Sequence, residues 1–377
     1  MFLVSLNHIN TSCILFVPNS QTLLPFPIFF FFNLITMMIE SWNPPLLHDY
    51  SKLSRLQNSR DCSNDGANLS TEKVLMMKEL ELPLIDLNDL KSEIEREKIK
   101  CENAIAKASS EWGFFQVVNH GVSLELLKKM RREQMKLFKA PFEMKATCGL
   151  LNNSYRWGNS TATCPKQFNW SEAFHIPLTK ISEAAYYGEF TTLREVMVEY
   201  ATSMQDLAKS LASVLVRKLG HKDGEIGEIC NESACFLRLN HYPQCQISQE
   251  IFGLVPHTDS DFLTILHQDE VGGLQLMKDS KWVAVKPNQN ALIVNIGDLF
   301  QAWSNDVYKS VEHKVIADGK MERFSIAYFL CPSYDSLIGS CKEPSIYKKF
   351  TFGEYRDQIQ QDVKLIGHKV GLSRFLL

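Results

Sequence analysis

The first 39 of the 377 residues contain no Lys, Arg, Asp or Glu; Glu40 is the first such residue. A secretory signal needs a positively charged start and a small-residue cleavage site, and this leader has neither. A membrane-spanning helix needs about 20 apolar residues in succession. Pro25, Pro27, Asn33 and Thr36 interrupt the one strongly apolar run, which includes Phe29 to Phe32. The leader is therefore expected to stand outside the fold, with synthesis beginning at Met37 or Met38; a membrane anchor is the second reading. The chain also lacks any basic run. With a net charge of −3, 22% charged and 45% hydrophobic residues, it has the composition of an ordinary soluble globular protein, and nucleic acid is set aside as a partner. Ten cysteines are present without one Cys-x-x-Cys pair. Cys230 and Cys235 lie close, but no second pair completes a zinc site, so reduced thiols of a cytoplasmic enzyme are expected.

What is present reads as helices first and strands later. Residues 40–78 are polar with scattered Pro, Asn and Ser and read as a flexible lead-in. Strand patterns at Leu82–Leu87 and Phe114–Val118 enclose helical periodicity over Glu93–Trp112. Ser123 is placed to cap a helix running through Phe138. The irregular stretch from Cys148 to His175, rich in aromatics, is either packing or a pocket wall. Leu193 to Leu219 has the apolar spacing of a long helix with Gly220 as its stop. From Phe236 to Leu330 short β-rich runs alternate with turns such as Val271-Gly272-Gly273 and Ile296-Gly297-Asp298, and Thr351 to Leu365 returns to helix. The expected fold is mixed α/β (α+β): a double-stranded β-helix, or jelly roll, with flanking helices and a helical N-terminal region. The expected division is leader and lead-in over 1–80 (with 1–37 untranslated), an N-terminal region over 81–190, a long helix and linker over 191–229, the core over 230–335 and a helical tail over 336–377.

The chemistry gathers in the strand-rich half. His257 and Asp259 stand two apart in a segment approaching a strand, where alternate residues share a face. An imidazole and a carboxylate on one face are two-thirds of a facial triad for Fe(II). One His-x-Asp is weak evidence, since a chain of this composition yields about half an occurrence by chance. A second, His267-Gln268-Asp269, stands nearby, and Asp261 also lies at an even spacing from His257. His313, in the β-favouring Lys309–Val315, can supply a third ligand. Arg323 and Ser325 share a strand face and offer a guanidinium fork and a hydroxyl to a carboxylate. In Arg238–Pro243, Asn240 and Tyr242 share one face and His241 takes the other, so Tyr242 is the better candidate to line a barrel. His120, before Gly121 at a strand end, reads as a turn histidine.

Several of these stretches together resemble the plant 2-oxoglutarate- and Fe(II)-dependent dioxygenases. They are Val255-Pro-His257-Thr-Asp259, Leu263–Asp269, Gly272-Gly273-Leu274-Gln275, Asn295-Ile-Gly297-Asp298 through Asn305, Lys309–His313, Arg323-Phe-Ser325 and Trp112–Gly121. The resemblance covers about Glu81 to Leu376, with two small departures, Gln244 for a common proline and Lys314 for a common arginine. It implies iron ligands His257, Asp259 and His313, and makes the second His-x-Asp a decoy. It implies that Arg323 and Ser325 hold the distal carboxylate of 2-oxoglutarate, with Tyr242 assisting and Arg323 counted as catalytic. Within the family the chain is most similar to gibberellin 2-beta-dioxygenases acting on C20 gibberellins, through Ser154-Tyr155-Arg156-Trp157-Gly158, Trp170–His175 and the whole Pro256–Asp269 block. That likeness suggests Asn240, Tyr155 and Trp170 as substrate residues, and a monomer of the cytoplasm, or also the nucleus, without stable membrane association. Fe(II), 2-oxoglutarate, O2 and ascorbate as reductant are the implied cofactors and co-substrates. The implied reaction is hydroxylation at C-2β, with release of succinate and CO2 and loss of hormone activity. Three rivals remain: a family member acting on a flavonoid or phenolic, a binding protein that has lost turnover, and a zinc hydrolase. The hydrolase lacks a general-base Glu beside the ligands and leaves Arg323-Phe-Ser325 unexplained.

Overall fold

The computed structural model describes residues 42–60, 79–147, 154–222, 229–230, 233–247 and 251–377, all within one of the chain's two units, Trp42–Leu377. The expectations for residues 1–39 lie outside the described residues. Helices are α1 (Leu46–Arg60), α2 (Glu95–Glu111), α3 (Leu124–Phe138), α4 (Phe142–Thr147), α5 (Thr191–Lys218), α6 (Asp298–Trp303) and α7 (Phe352–Ile366). Strands before α5 are β1 (Glu79–Leu80), β2 (Leu84–Asp86), β3 (Phe114–Val118), β4 (Tyr155–Trp157) and β5 (Glu172–Pro177). After it come β6 (Phe236–Tyr242), β7 (Phe252–His257), β8 (Leu263–Gln268), β9 (Leu274–Lys278), β10 (Lys281–Val285) and β11 (Leu292–Ile296). The last are β12 (His313–Ile316), β13 (Arg323–Leu330), β14 (Leu337–Ile338) and β15 (Phe350–Thr351).

Eight strands form one sheet in the order β2-β3-β11-β8-β13-β6-β5-β4, and five form another in the order β1-β10-β9-β12-β7. This is the sheet-rich core with flanking helices that the strand spacing predicts. Alternation gives the large sheet two different faces. Leu237 and Leu239 of β6, Ile265 of β8, and Ile326 and Tyr328 of β13 are fully buried in the core cluster shared with α5. The intervening residues line a cavity that residues of the smaller sheet close from the other side. α5 holds this arrangement through Leu193, Met197, Tyr200, Met204, Leu211 and Leu215, a stripe at helical spacing that packs against α2, α3, β8 and β13. α3 begins where Ser123 accepts a hydrogen bond from the Leu126 amide, and α7 begins with a capping box between Thr351 and Glu354.

Two expectations are corrected. The polar lead-in contains helix α1, because Leu46, Tyr50 and Leu53 lie on one helical face and pack on Phe168 and Trp170. The Ile296-Gly297-Asp298 turn opens a short helix, α6, whose apolar Leu299, Phe300, Ala302 and Trp303 are too few to announce a helix by periodicity.

Behind β5 and β6 lies a buried polar network. Lys145 donates to Glu172 Oε2 at 2.7 Å, to the Phe138 carbonyl at 2.7 Å and to the Trp42 carbonyl at 2.8 Å. Tyr155 donates to the same carboxylate oxygen. His241 sets Nδ1 2.7 Å from Glu172 and Nε2 3.0 Å from Glu322. Burial opposes its protonation, but the two carboxylates outweigh burial and raise its pKa above the ordinary value. A histidine pKa raised by folding contributes stability that is complete below the unfolded pKa of about 6.5 and is lost as pH rises through the folded value. We expect the denaturation midpoint of the protein to fall as pH rises above about 6.5, and His241→Gln to flatten that slope. An unchanged slope in the variant would assign the pH dependence to other groups.

Candidate active site

Alternate residues of β6 (Phe236, Arg238, Asn240, Tyr242) and of β13 (Arg323, Ser325, Ala327, Phe329) line one cavity of about 340 Å³. Thr264 and Leu266 of β8 continue that wall, and Leu254, Leu274 and Val315 face it from the smaller sheet. His257 ends β7 and His313 opens β12, and the antiparallel ladder sets these two residues directly opposite each other. Asp259 follows two residues beyond β7. Its Oδ1 lies 3.6 Å from His257 Nε2 and 3.8 Å from His313 Nε2, and the three atoms all fall within 4.8 Å of one another.

The surrounding bonds aim these atoms. His257 Nδ1 is 2.8 Å from the Val255 carbonyl and His313 Nδ1 is 3.0 Å from the Val311 carbonyl. A carbonyl only accepts, so each Nδ1 carries the hydrogen and each Nε2 presents its lone pair. Asp259 Oδ2 accepts from Thr264 Oγ1 at 2.7 Å and from Asn295 Nδ2 at 2.8 Å, which leaves Oδ1 as the ligating oxygen. Burial, reinforced by neighbouring His313, drives the His257 pKa down and keeps the ring neutral. Burial works against an ionised Asp259, but the two imidazoles and the two hydrogen bonds outweigh it and hold the carboxyl below its usual range. Neutral imidazoles and an ionised carboxylate are the protonation states a metal requires. Two nitrogens and one oxygen facing a cavity fit Fe(II) with open positions.

Asp261 is the neighbour that does not ligate. Its Oδ2 lies 2.8 Å from Thr264 Oγ1, which has one proton for two carboxyl groups. Burial first, then the Asp259 charge, push the Asp261 pKa well up. A protonated Asp261 donates to Thr264, and Thr264 donates to Asp259. Asp261 packs on Gly297 so closely that a Cβ there would lie 2.0 Å from Oδ1. The first amides of α6 complete the support, with Asp298 N donating to the Asp259 carbonyl at 2.9 Å and Leu299 N to the Asp261 carbonyl at 3.0 Å.

Arg323 lies at the same cavity and is 2% exposed. Its guanidinium lies 4.9 Å from the centre of the Tyr242 ring and donates through one terminal nitrogen to Gln268 Oε1 at 2.7 Å. Among the described residues its Nε and other terminal nitrogen have no hydrogen-bond partner. A buried cation with free N–H groups calls for an anion, and the guanidinium fork matches a carboxylate. Ser325 Oγ accepts from Asn240 Nδ2 at 3.3 Å and keeps its own hydrogen for a ligand. These residues therefore fit one carboxylate of 2-oxoglutarate.

The structure separates the rival pair from this site. Asp269 accepts from the Val271 amide at 3.1 Å and the Phe324 amide at 2.5 Å. His267 falls between Leu266 and Gln268 on the opposite face of β8, and burial, with Arg131 second, takes its pKa down to about 4. Among the proposed substrate residues, Asn240 lines the cavity. Tyr155 and Trp170 are not among its lining residues. Tyr155 pairs with Phe174 in the β4–β5 ladder and so faces the buried network, while His175, one residue on, faces the cavity. Trp170 donates to the Pro243 carbonyl at 3.1 Å and packs on Tyr50 of α1. The aromatic stretch before His175 is thus packing in these residues. His120 accepts from the Val122 amide at 3.2 Å, as a turn histidine does. Sequence reading missed Thr264 and Gln268, evenly spaced on β8, and Asn295 on β11, although their place in the quoted motifs was available as a signal. It also missed His175, Arg238 and Arg356 at the cavity's far end; Arg356 comes from the tail helix α7, and no local pattern points to it.

Comparison with known proteins gives the same picture. A family model described as the 2OG-Fe(II) oxygenase superfamily matches residues 233–332, and one described as the N-terminal region of a non-haem dioxygenase in morphine synthesis matches residues 82–192. Gibberellin 2-beta-dioxygenase 6 of Oryza sativa subsp. japonica is 52% identical, over 88% of this chain and 96% of its own. Gibberellin 2-beta-dioxygenase 8 of Arabidopsis thaliana is 50% identical, over 89% of this chain and 98% of its own. The crystal structure of JOX2 in complex with 2OG, Fe and JA superposes with a TM-score of 0.66 at 31% identity, covering 85% of this chain and 97% of that one.

Proposed function

Because the chain belongs to the 2OG-Fe(II) oxygenase superfamily, we propose that it hydroxylates gibberellins at C-2β, with 2-oxoglutarate and O2 as co-substrates, and so inactivates the hormone. The observation that carries the reaction class is the convergence of His257, Asp259 and His313 with the unpaired Arg323 fork in one cavity. The substrate class is supported by two relatives named gibberellin 2-beta-dioxygenase, each half identical along almost their whole length. Within that class we assign C20 gibberellins, on the likeness of Ser154–Gly158, Trp170–His175 and Pro256–Asp269, and a monomer acting in the cytoplasm. Among the described residues no helix is long and apolar enough to cross a membrane.

Bound at the triad, Fe(II) supplies the oxygen-activating redox chemistry that couples decarboxylation of 2-oxoglutarate to hydroxylation of a C–H bond, with ascorbate keeping the metal reduced. The protein does the rest. His257, Asp259 and His313 would hold the metal, and all three line the cavity that the substrates would enter. Arg323 and Ser325 hold the far carboxylate of the co-substrate, over the Tyr242 ring, and turn its other end toward the triad. Phe114, Leu254, Leu266, Leu274 and Val315 give the chamber apolar walls that exclude water and seat a fused-ring skeleton.

The test supplies the purified protein with Fe(II), ascorbate, 2-oxoglutarate and GA12, a C20 gibberellin, and follows products by mass spectrometry. Succinate together with a gibberellin one oxygen heavier is the expected result. Succinate formed only with another plant metabolite would move the substrate class to a flavonoid or phenolic. Arg323→Lys is expected to weaken 2-oxoglutarate binding about 10- to 100-fold, the worth of one or two charged hydrogen bonds, with little change for the gibberellin. An equal loss for both would remove the clamp role.

A further inference from the structure

The charges along the cavity are segregated. Among the described residues its only acidic lining residues are Asp259 and Asp261, which stand at the triad, and Arg323 is committed to the co-substrate end. Two further arginines line the opposite end. Arg238 of β6 pairs with Ala327, four residues along β13 from Arg323, which sets it about 13 Å away at a rise of ~3.3 Å per residue. Arg356 arrives from α7 and lines the same cavity.

Each is held by a neutral partner through one nitrogen. Arg238 Nε donates to Asn240 Oδ1 at 2.9 Å. Arg356 donates to the Tyr334 hydroxyl at 2.8 Å, with its guanidinium over the rings of Tyr334 and Phe352. Among the described residues neither arginine has an acidic side chain within ion-pair distance. His175 sits opposite Arg238 in the β5–β6 ladder, its ring stacked on Phe236 with centroids 4.0 Å apart. Burial takes the His175 pKa down to about 4, and Arg238 and then Arg356 push it the same way, so the ring between them is neutral and adds no competing charge. The other residues lining this end include the apolar Phe236, Phe329, Phe352 and Ile359, with Cys331 and the uncharged Gln360 beside them.

We propose that Arg238 and Arg356 form a carboxylate anchor at the end of the cavity remote from Arg323, which grips the acid group of an otherwise apolar substrate and fixes which C–H bond reaches the triad. Two guanidiniums at the end of an apolar chamber suit an amphipathic acid. A neutral polycycle of the same shape would leave both cations unpaired. The identity of the acid rests on the reading above, since gibberellins are diterpenoid carboxylic acids; the anchor itself rests on the charges and walls of the chamber.

The experiment is calorimetric titration of the full-length protein, with 2-oxoglutarate present and oxygen excluded, by GA12 and by its dimethyl ester. The wild type is expected to bind the acid at least about tenfold more tightly than the ester. Arg356→Met and, independently, Arg238→Gln are expected to lower affinity for the acid about 10- to 100-fold, while leaving the ester and 2-oxoglutarate unchanged, with Arg356→Lys restoring part of the loss. A melting curve for each variant separates this from misfolding, and the second arginine keeps the test open should one variant fail to fold. Parallel losses for acid and ester, or equal wild-type affinity for both, would overturn the anchor. If the wild type binds neither form of GA12, the gibberellin reading fails by itself. The same titration with 1-naphthaleneacetic acid and its methyl ester then judges the anchor: an acid preference lost in Arg356→Met retains it, and indifference to the ester removes it.

Discussion

Asp259→Ala is expected to abolish turnover and to lower affinity for the metal by well over 100-fold. Partners that only orient a ligand are worth about 10- to 100-fold in metal affinity, and Asp259 is itself the one anionic ligand of the triad. Its loss has a second consequence. Thr264 Oγ1 and Asn295 Nδ2, which donate to Oδ2 at 2.7 and 2.8 Å, are left without their acceptor in a buried pocket. Asn295→Leu should therefore reproduce part of the defect, about 10- to 100-fold in metal affinity, by releasing one oxygen of a ligand that stays in place. Asp261→Asn separates ligand from neighbour. Asp261 is held protonated by burial and by the Asp259 charge, so a neutral amide of the same size keeps the contact to Thr264 and should retain the metal. Titration with Co(II), followed by its visible absorption, reads all three variants without requiring activity. Loss of metal from Asp261→Asn as severe as from Asp259→Ala would mean that the ligand assignment is wrong.

The sequence carried the fold further than it carried the pocket. Long apolar stripes and alternating strands are local patterns, so α2, α3, α5 and the strand-rich half were readable at nearly their observed bounds. The short helix α6 and the helix α1 in the polar lead-in were not, because each owes its stability to tertiary contacts that periodicity does not encode. For the triad, spacing offered two His-x-Asp pairs of equal merit, and resemblance rather than geometry chose between them. The structure supplies the physical reason. His257 meets His313 across the β7–β12 ladder, whereas Asp269 spends both oxygens on backbone amides. Tyr155 and Trp170 sit in packing away from the cavity lining, since a motif can mark a group of relatives through packing as well as through contact with substrate. In Trp170–His175 the residue that reaches the cavity is His175, and which face of β5 is inward depends on its register with β6. Arg356 was illegible for a plainer reason: it lies well over a hundred positions from its partner Arg238, on a helix whose own pattern shows only an exposed cation.

Lys145→Met is expected to cost about 3–5 kcal/mol of stability, the usual penalty for breaking a buried ion pair from one side. Lys145 and Glu172 are both 0% exposed, and Lys145 spends its three protons on Glu172 and two backbone carbonyls. Burial lowers the lysine pKa while the Glu172 charge pulls the other way, so the carboxylate is what keeps the ammonium tolerable in the interior. Methionine matches the volume but leaves Glu172 facing only Tyr155 and His241, with one full charge uncompensated. The double variant Lys145→Met/Glu172→Leu should recover part of the loss, though not all, because Tyr155 and His241 then lose their shared acceptor. The damage should extend to the chamber. Glu172 pairs with His241 in the β5–β6 ladder, and the same two strands carry His175, Arg238, Asn240 and Tyr242 into the cavity. Urea denaturation reads the stability, and 2-oxoglutarate titration of the folded variant reads the chamber. A midpoint within error of the wild type would show that the pair is neutral to folding. A large loss of stability with unaltered 2-oxoglutarate affinity would show that β6 keeps its register without the network behind it.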